Sequence, residues 1–352
     1  MDSFHTVEVV LLACGCANRC GHCYACATHQ VAHPIDTALA ERLLDLLMPL
    51  FDRAQERYVD IYYDLFDHPD ADGLVRLLHR RNLYAMWRTI ATHGRGIARR
   101  AKYRDLLKEM KAMGSEDIQL AFHGQDETHD KFVCRRGSFR DLIEAGKAGL
   151  EAGFVPVFPL FITKRNVQQW PVLFDQLKRE GLLARSEHSL GAGLISPYGY
   201  AEALEEDRVE TADLLNLPES ERKRVPCRPE AEWCHEALEG DHKLFALGGL
   251  TCLSLQVRGN REVFNSFSNP RARLGTLETD SLDAIIARYR ESQSRGFRCS
   301  ISDEIEQKGR SPRLVELARK HGQPNGQKLY RVASHAVKAW MLRGGKGLKV
   351  IQ

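Results

Sequence analysis

The chain has 352 residues, 43% of them hydrophobic and 28% charged, and its 50 basic and 47 acidic side chains leave a formal charge of +3. Charges so well mixed exclude a disordered or low-complexity protein, and so small a surplus gives no reason to expect nucleic acid or a membrane surface as partner. The 10 cysteines are too sparse for a disulfide scaffold, no apolar run nears the roughly 20 residues that span a bilayer, and the opening Met-Asp-Ser-Phe-His lacks a signal peptide's basic and apolar regions, so a cytoplasmic protein is expected.

Up to about residue 195 the chain alternates apolar, β-rich runs with amphipathic stretches, the pattern of a parallel sheet with crossover helices. A strand over residues 7–13 comes first. Asp36 or Thr37 then caps a helix whose Leu39, Leu43, Leu46 and Leu47 recur at helical spacing. There follow a strand over 58–63, a helix over 71–81, a strand over 83–92, a helix over 99–113 and a strand over 117–122. Helix 138–152 takes Ser138 as its N-cap, and Gly153 is its stop signal. Strand 154–162, helix 167–180 and strand 188–195 complete six β/α units, short of the eight of a closed TIM barrel. The expected fold is therefore α/β, a partial (β/α)6 TIM-like barrel over residues 1–196.

Residues 197–249 break the rhythm with Pro197, Pro218, Pro226 and Pro229 and read as a linker with short helices. From residue 250 the character changes. Apolar strands over 253–257 and 262–267 flank Arg258-Gly259-Asn260, a hairpin signal because Gly and Asn tolerate positive φ. A helix over 281–292, capped by Asp280 or Ser281, follows and makes a small hairpin-plus-helix domain within 250–352. Two further helices are expected over 312–321 and 329–342, ahead of a Gly/Lys-rich end.

The most informative segment follows the first strand directly. Cys16, Cys20 and Cys23 are spaced C-x3-C-x2-C on a loop at the strand's C-terminal end, where β/α barrels build their sites. Three thiolates on a short loop can hold three irons of a [4Fe–4S] cluster and leave the fourth open for substrate. A structural zinc is the competing reading, with Cys14, His22 or Cys26 as fourth ligand.

Placed after strand one of a β/α series, this segment resembles the radical S-adenosylmethionine (radical SAM) enzymes. The resemblance covers roughly residues 7–195 and implies that the open iron chelates SAM, which on reduction yields methionine and a 5′-deoxyadenosyl radical that abstracts a substrate hydrogen. It implies an electron donor too, a reductase such as flavodoxin or ferredoxin. His22 stands where the family usually has an aromatic residue, and Tyr24 follows the last cysteine. Tyr62-Tyr63-Asp64 lies where the family's Gly-Gly-Glu ends strand two, which carries Asp64 over as the carboxylate for the SAM ammonium. Thr92-His93-Gly94 ends strand three, Phe122-His123-Gly124 ends strand four, and Gly191-Ala192-Gly193 lies in strand six. The resemblance gives Thr92, His123 and Gly193 as the cofactor-binding positions there.

Cys227, Cys234, Cys252 and Cys299 fall in the C-terminal half. The stretch 252–290, with Leu274-Gly275-Thr276-Leu277 and Asp280-Ser281-Leu282, resembles the twitch or SPASM extensions of radical SAM enzymes, which hold auxiliary [4Fe–4S] clusters. A full SPASM domain uses seven cysteines for two clusters, and Asn265 stands where many members have one, so a single second cluster is expected, on Cys227, Cys234 and Cys299. Cys252 opens a strand and suits a different task, since a thiol S–H is weak enough to give its hydrogen to a carbon radical. That arrangement is similar to aminoglycoside epimerases of the neomycin C type. If Cys252 is instead a cluster ligand, the donor is missing. Cys14, Cys26 and Cys134 are left as buried or bystander thiols.

The expected function is epimerisation of a carbinol carbon in a sugar or aminoglycoside natural product, with acidic side chains holding the polycation. Candidates are Asp60, Asp64, Asp67, Asp70, Glu202, Glu205, Glu206 and Asp207. A radical SAM dehydrogenase passing its electron to the second cluster is the alternative. Peptide maturation is a third, against which a strand beginning near Val7 gives no room for an N-terminal leader-binding domain. A zinc-stabilised nucleic-acid module would use the basic runs 95–104 and 221–224.

Overall fold

Val7, Val9 and Leu11 alternate with Glu8 and Val10 along the first strand, and this two-residue period sends one apolar row toward the helices. The computed structural model describes residues 4–20, 23, 30–83, 89–183, 190–194, 207, 209–215, 217, 219–222, 228–229, 252–265, 272–294 and 329–330. Strand β1 (Phe4–Leu12) leads to helix α1 (Thr37–Phe51), β2 (Ala54–Tyr62) and α2 (Ala71–Arg80). Then come β3 (Thr89–Thr92), α3 (Arg95–Arg99), α4 (Ala101–Ala112), β4 (Asp117–Leu120), α5 (Asp126–Phe132) and α6 (Ser138–Glu151). Strand β5 (Val155–Ile162), α7 (Trp170–Arg179) and β6 (Leu190–Leu194) finish the series.

All six strands run parallel, β1 with β2 and β3 through β6 in chain order, which is the partial (β/α)6 barrel of the sequence reading. Among the described residues β2 and β3 share no ladder. The core is the apolar row of the strands against α1, α2, α4 and α6: Val9, Leu11, Val59, Ile61, Leu44, Leu47, Leu74 and Leu78 are fully or almost fully buried. No helix among the described residues is long and apolar enough to cross a membrane.

The hairpin does not hang apart from this sheet. β8 (Cys252–Val257) pairs in parallel with β1, from Thr6 opposite Cys252 to Leu11 opposite Val257. β9 (Glu262–Asn265) and β10 (Arg273–Thr276) extend it antiparallel, and α10 (Leu282–Ser294) packs against them. Arg53 and Asp283 form an ion pair at 2.7 Å that ties α10 to the turn before β2. Between barrel and hairpin lie α8 (Thr211–Leu214), α9 (Glu219–Arg222) and β7 (Arg228–Pro229), whose partner is β11 (Leu329–Tyr330).

Several local expectations are corrected. In α1 the cap is Asp36, which accepts from the Leu39 N–H at 2.7 Å, and Leu46 faces solvent while Leu44 joins the core. The helix expected over 99–113 begins at Ala101, because Arg100 is extended, and a separate short α3 precedes it. Ser138 does not cap α6: Gly137, at φ +79°, holds that position, and the Ser138 hydroxyl is engaged by Arg135 and His129. Gly153 does end α6 with a positive φ. In the hairpin Arg261, not Gly259 or Asn260, takes positive φ. Ser281 caps α10, accepting from the Ala284 N–H, while Asp280 accepts from the Thr276 N–H and pairs with Arg288. The first two residues of the helix expected over 329–342 are strand, because pairing with β7 overrides the local pattern; its remainder and the helix over 312–321 lie outside the described residues.

Gly259 serves close approach. A Cβ there would stand 2.4 Å from the His33 carbonyl oxygen, a backbone atom that cannot turn aside. Gly259→Ala is therefore expected to lower stability by about 1–3 kcal/mol in urea denaturation, with Asn260→Ala close to neutral as the control.

Candidate functional site

β1 hands over to the cysteine loop at its C-terminal end. The Ala13 and Cys14 N–H groups donate to the Tyr62 carbonyl at 3.1 and 3.2 Å, and the Ile35 N–H donates to the Ala13 carbonyl, closing the loop's base. Three further bonds pin its crest. The Ala17 N–H donates to Asp67 Oδ2 at 3.0 Å, the Arg19 N–H to the Val133 carbonyl at 2.9 Å, and Arg135 Nε to Asn18 Oδ1 at 2.6 Å. The Asn18 N–H points at Cys16 Sγ, 3.4 Å away.

Cys16, Cys20 and Cys23 are all partly buried on this loop. Burial pushes the Cys20 thiol up, and the charges of Cys16, Cys23 and then Cys134 push it further, so these sulfurs lie within electrostatic reach of one another. Thiols that oppose each other's ionisation need a cation to become thiolates together. Among the described residues no three His, Cys, Asp or Glu side chains converge on one point as a single-ion site requires. Thiolates that each take a different iron of a cluster need not converge so closely, and this donor set fits such a cluster, with Cys16, Cys20 and Cys23 to hold it. His22 and Cys26 lie outside the described residues, as do Cys227, Cys234 and Cys299.

Cys14 is a buried thiol pushed up to about 12, by burial and then by Asp64, and it donates to the Asp64 carbonyl. Cys134 is exposed, yet it stands beside the loop at the end of α5, next to the Val133 that anchors Arg19.

Around the loop is a set of buried charges that local sequence patterns do not reveal. Asp64 is 3% exposed; its Oδ1 accepts from the Phe66 N–H, and its Oδ2 from the Thr92 hydroxyl at 2.9 Å and the His93 N–H at 2.8 Å. His93 Nε2 stands 2.7 Å from Asp67 Oδ2 and 3.3 Å from Asp64 Oδ2. Burial works against a charged imidazole, but the charge of Asp64, the bond to Asp67 and a hydrogen bond with Cys16 raise His93 well above its ordinary value. Burial likewise pushes Asp67 up, and His93, Ala17 and Arg95 together bring it below the usual carboxylate range. On the other side Arg135 joins Asn18, the His93 carbonyl, Ser138 and Asp141, and Arg99 also pairs with Asp141.

Of the expected cofactor positions, Thr92 ends β3, Asp64 and His123 follow β2 and β4, and Gly193 lies within β6. Asp64 and Thr92 are bonded to each other within this network. His123 is buried in a stack, its ring 4.6 Å from Phe132 and 5.2 Å from Phe161, with its backbone N–H donating to His129 Nδ1. Gly193 lies in β6 opposite Phe161. Cys252 begins β8, in register with Thr6. Of the acidic candidates, Asp70 accepts from the Thr37 hydroxyl and Asp207 pairs with Arg165, while Glu202, Glu205 and Glu206 lie outside the described residues. Much of the basic run is engaged within the fold: Arg95 faces Asp67, Arg99 pairs with Asp141, Arg100 lies over Tyr103, and Lys102 pairs with Asp72.

On the sheet face turned away from the helices sits a second polar group. Ser254 donates to Glu8 across the β1–β8 ladder at 2.5 Å, and Thr6 and Tyr58 both donate to Glu56 at 3.0 Å. Burial raises Glu8 against the Ser254 bond, and burial followed by the Glu8 charge raises Asp60 to about 7. The sign is that of a carboxyl ionising later in the native state than in the unfolded chain, so Asp60 makes stability fall as pH rises from about 4 to about 7. Asp60→Asn is expected to gain stability over the original chain between about pH 5 and about pH 8 in urea denaturation; equal pH profiles for the two would contradict this.

No protein-family model and no curated protein matches the sequence. Solved structures do match. SuiB of Streptococcus suis bound to its precursor peptide SuiA is similar at 16% identity with a TM-score of 0.52, covering 83% of this chain and 67% of that one. The same enzyme bound to S-adenosylmethionine gives 14% identity and 0.51, over 84% and 68%. The anSMEcpe protein with bound AdoMet gives 11% identity and 0.51, over 96% of this chain and 97% of that one. At these identities the likeness is one of fold alone: this chain shares its mixed α/β, partial-barrel architecture with proteins solved with S-adenosylmethionine bound.

Proposed function

We propose that the chain is a radical SAM enzyme. What carries the reading is one loop of partly buried thiols, Cys16, Cys20 and Cys23, at the C-terminal end of the first strand of a partial barrel. When bound, the cluster supplies the electron that turns SAM into a hydrogen-abstracting 5′-deoxyadenosyl radical. Asp64, Thr92, His123 and Gly193 are the residues on the cofactor side. A reductase such as flavodoxin or ferredoxin provides the electron.

For the reaction itself we infer epimerisation of a carbinol carbon, with Cys252 returning hydrogen to the opposite face. What supports the reading is the chemistry of a thiol S–H rather than nearness to the loop, since Cys252 pairs with Thr6, six residues before the end of β1, and Ser254 bonds Glu8 across the same ladder. Glu8 and Asp60 give the sheet face turned away from the helices an acidic character suited to an amine-bearing sugar such as an aminoglycoside. The thiyl left on Cys252 takes one electron from the reductase and one proton from solvent to return to the thiol. A second cluster on Cys227, Cys234 and Cys299 belongs to the twitch-like reading of the C-terminal region. A dehydrogenase that passes the substrate electron to that cluster is the runner-up. Peptide modification is a further reading, favoured by the fold likeness to SuiB, which was solved with a precursor peptide.

Reconstituted without oxygen, the chain is expected to bind about four iron atoms for one cluster and about eight for two, and to release 5′-deoxyadenosine from SAM on reduction. A colourless zinc protein would sink the whole reading. Turnover in D2O is expected to put one deuterium at the inverted carbon. Cys252→Ala should still cleave SAM but form no epimer; if it loses iron instead, Cys252 is a ligand and the dehydrogenase reading takes over.

A further inference from the structure

An electron bound for the cysteine loop must arrive from outside, and the surface it meets there is basic. From Ala13 to Ile35 the chain holds no Asp or Glu, and Arg19 stands exposed between Cys16 and Cys20. Three more exposed arginines are tied to the crest of the loop through neighbouring elements. Arg95 Nη1 lies 3.7 Å from Asp67 Oδ1, and the other oxygen of Asp67 accepts from the Ala17 N–H. Arg99 Nη2 lies 3.0 Å from Asp141 Oδ2, the oxygen that also takes Arg135, and Arg135 in turn holds Asn18. Arg136 adjoins Arg135 in the chain. A Cβ on Gly137 would stand 3.7 Å from Arg99 Nη2, so Arg99 reaches the same turn. The N–H of Arg19 itself donates to the carbonyl of Val133, where that turn begins.

The carboxylates among these arginines are spent within the fold. Asp67 is 7% exposed at its side chain and Asp141 8%, and Asp141 answers two guanidiniums with one charge. Asp130 accepts from the N–H groups of Gly137 and Phe139, and Lys131 answers Glu127. Among the described residues no carboxylate pairs with Arg19 or Arg136. Positive charge is therefore left facing solvent here. The exposed large apolar residues Leu46, Val172 and Leu215 lie elsewhere, on α1, on α7 and just after α8.

We propose that Arg19, Arg95, Arg99 and Arg136 form the docking surface for a small acidic electron-carrier protein, which passes one electron to the cluster at the cysteine loop. The proposal rests on the radical SAM reading given above and names where its electron donor binds. In the step the carrier loses one electron and the cluster gains it, with no bond made or broken. Transient electron-transfer partners bury little surface, under about 1,200 Å², so charge rather than an apolar face has to bring them together. Opposite charges speed such encounters at low salt, and added salt screens them.

The test uses the anaerobically reconstituted chain with flavodoxin as the carrier. Isothermal titration calorimetry reads the Kd, and stopped-flow absorbance reads the rate at which reduced flavodoxin bleaches the cluster. For the original chain that rate is expected to fall at least tenfold between about 0.05 and about 0.5 M salt. Arg136→Glu and Arg19→Glu, at unchanged iron content, are each expected to lose about tenfold in affinity and in rate at low salt, with Arg136→Lys retaining both. Reduced methyl viologen, a cation, is expected to reduce these variants at least as fast as the original chain, which a general loss of structure would not allow. If the original chain binds no cluster, the radical SAM reading fails and takes this proposal with it. If the cluster is present but the rate ignores salt, or the charge reversals leave Kd and rate unchanged, the proposal alone is overturned. Should both reversals lose their iron, phenylglyoxal modification of the original chain decides. Protection of Arg19 and Arg136 by flavodoxin, read by mass spectrometry, supports the proposal, and equal modification with and without it overturns it. Short duplex DNA held by the same arginines, with flavodoxin binding unaffected by their reversal, would assign the patch to nucleic acid and overturn it as well.

Discussion

A buried histidine gripped by two buried aspartates is the interaction on which the arrangement of the site depends. Stripping water from an ion costs several kcal/mol, so each of these groups is tolerable there only while the others answer it. Asp64, Asp67 and His93 do so with hydrogen bonds of 2.7 to 2.9 Å, and the N–H groups of Ala17, Phe66 and His93 fill the remaining acceptor sites. Because the three come from the end of β2, the turn after it and the end of β3, satisfying them fixes those segments relative to the cysteine loop. Arg135, in the turn after α5, and Asp141 of α6 form a second strut. The loop is thus irregular in itself but held from outside at several points, as a site for a rigid multi-atom cofactor demands.

Strand β1 supplies the other constraint. With β2 on one side and β8 on the other it has no free edge, and its odd-numbered valines and leucine lie in the core. A slip of one residue would turn Glu8 into that core and Leu11 out of it, so apolar burial indirectly fixes which polar residues face the barrel interior. The same register sets Cys252 opposite Thr6 and Ser254 opposite Glu8. The hairpin is therefore part of the barrel's wall at the place where the cysteine loop begins.

The parallel strands and their helices were legible because each carries a period of its own, alternating in β1 and β2 and helical in α1 and α6. The cysteine spacing was legible because three ligands sit within eight residues. What the sequence did not reveal are bonds between distant residues: Asn18 and Arg135 are 117 apart, and His93 and Asp67 are 26 apart. His93 was in view only as the middle of Thr92-His93-Gly94. Ser138 looked like a helix cap because its residue type favours that role, but Arg135 and His129 compete for its hydroxyl. Gly259 drew notice as a turn residue, while its function is to let His33 come close, a requirement written nowhere near it.

The acidic residues divide into two populations by environment, although all were alike as letters. Asp67 lies among His93, Arg95 and a backbone N–H, and is held below the usual carboxylate range. Asp60 and Glu8 lie a few residues away on the inner sheet face, form no ion pair among the described residues, and are pushed up by burial. Carboxylates already answered by the chain's own cations are structural. Those left raised have lost water without gaining an ion from the described residues, and an ammonium group placed beside such a carboxyl would draw it toward ionisation. Electrostatic complementarity of this kind is strongest for a ligand carrying amines, and weakest for a neutral one. Under the reading proposed above, it is the contrast between the two populations, rather than the total count of acids, that suits an amine-bearing substrate.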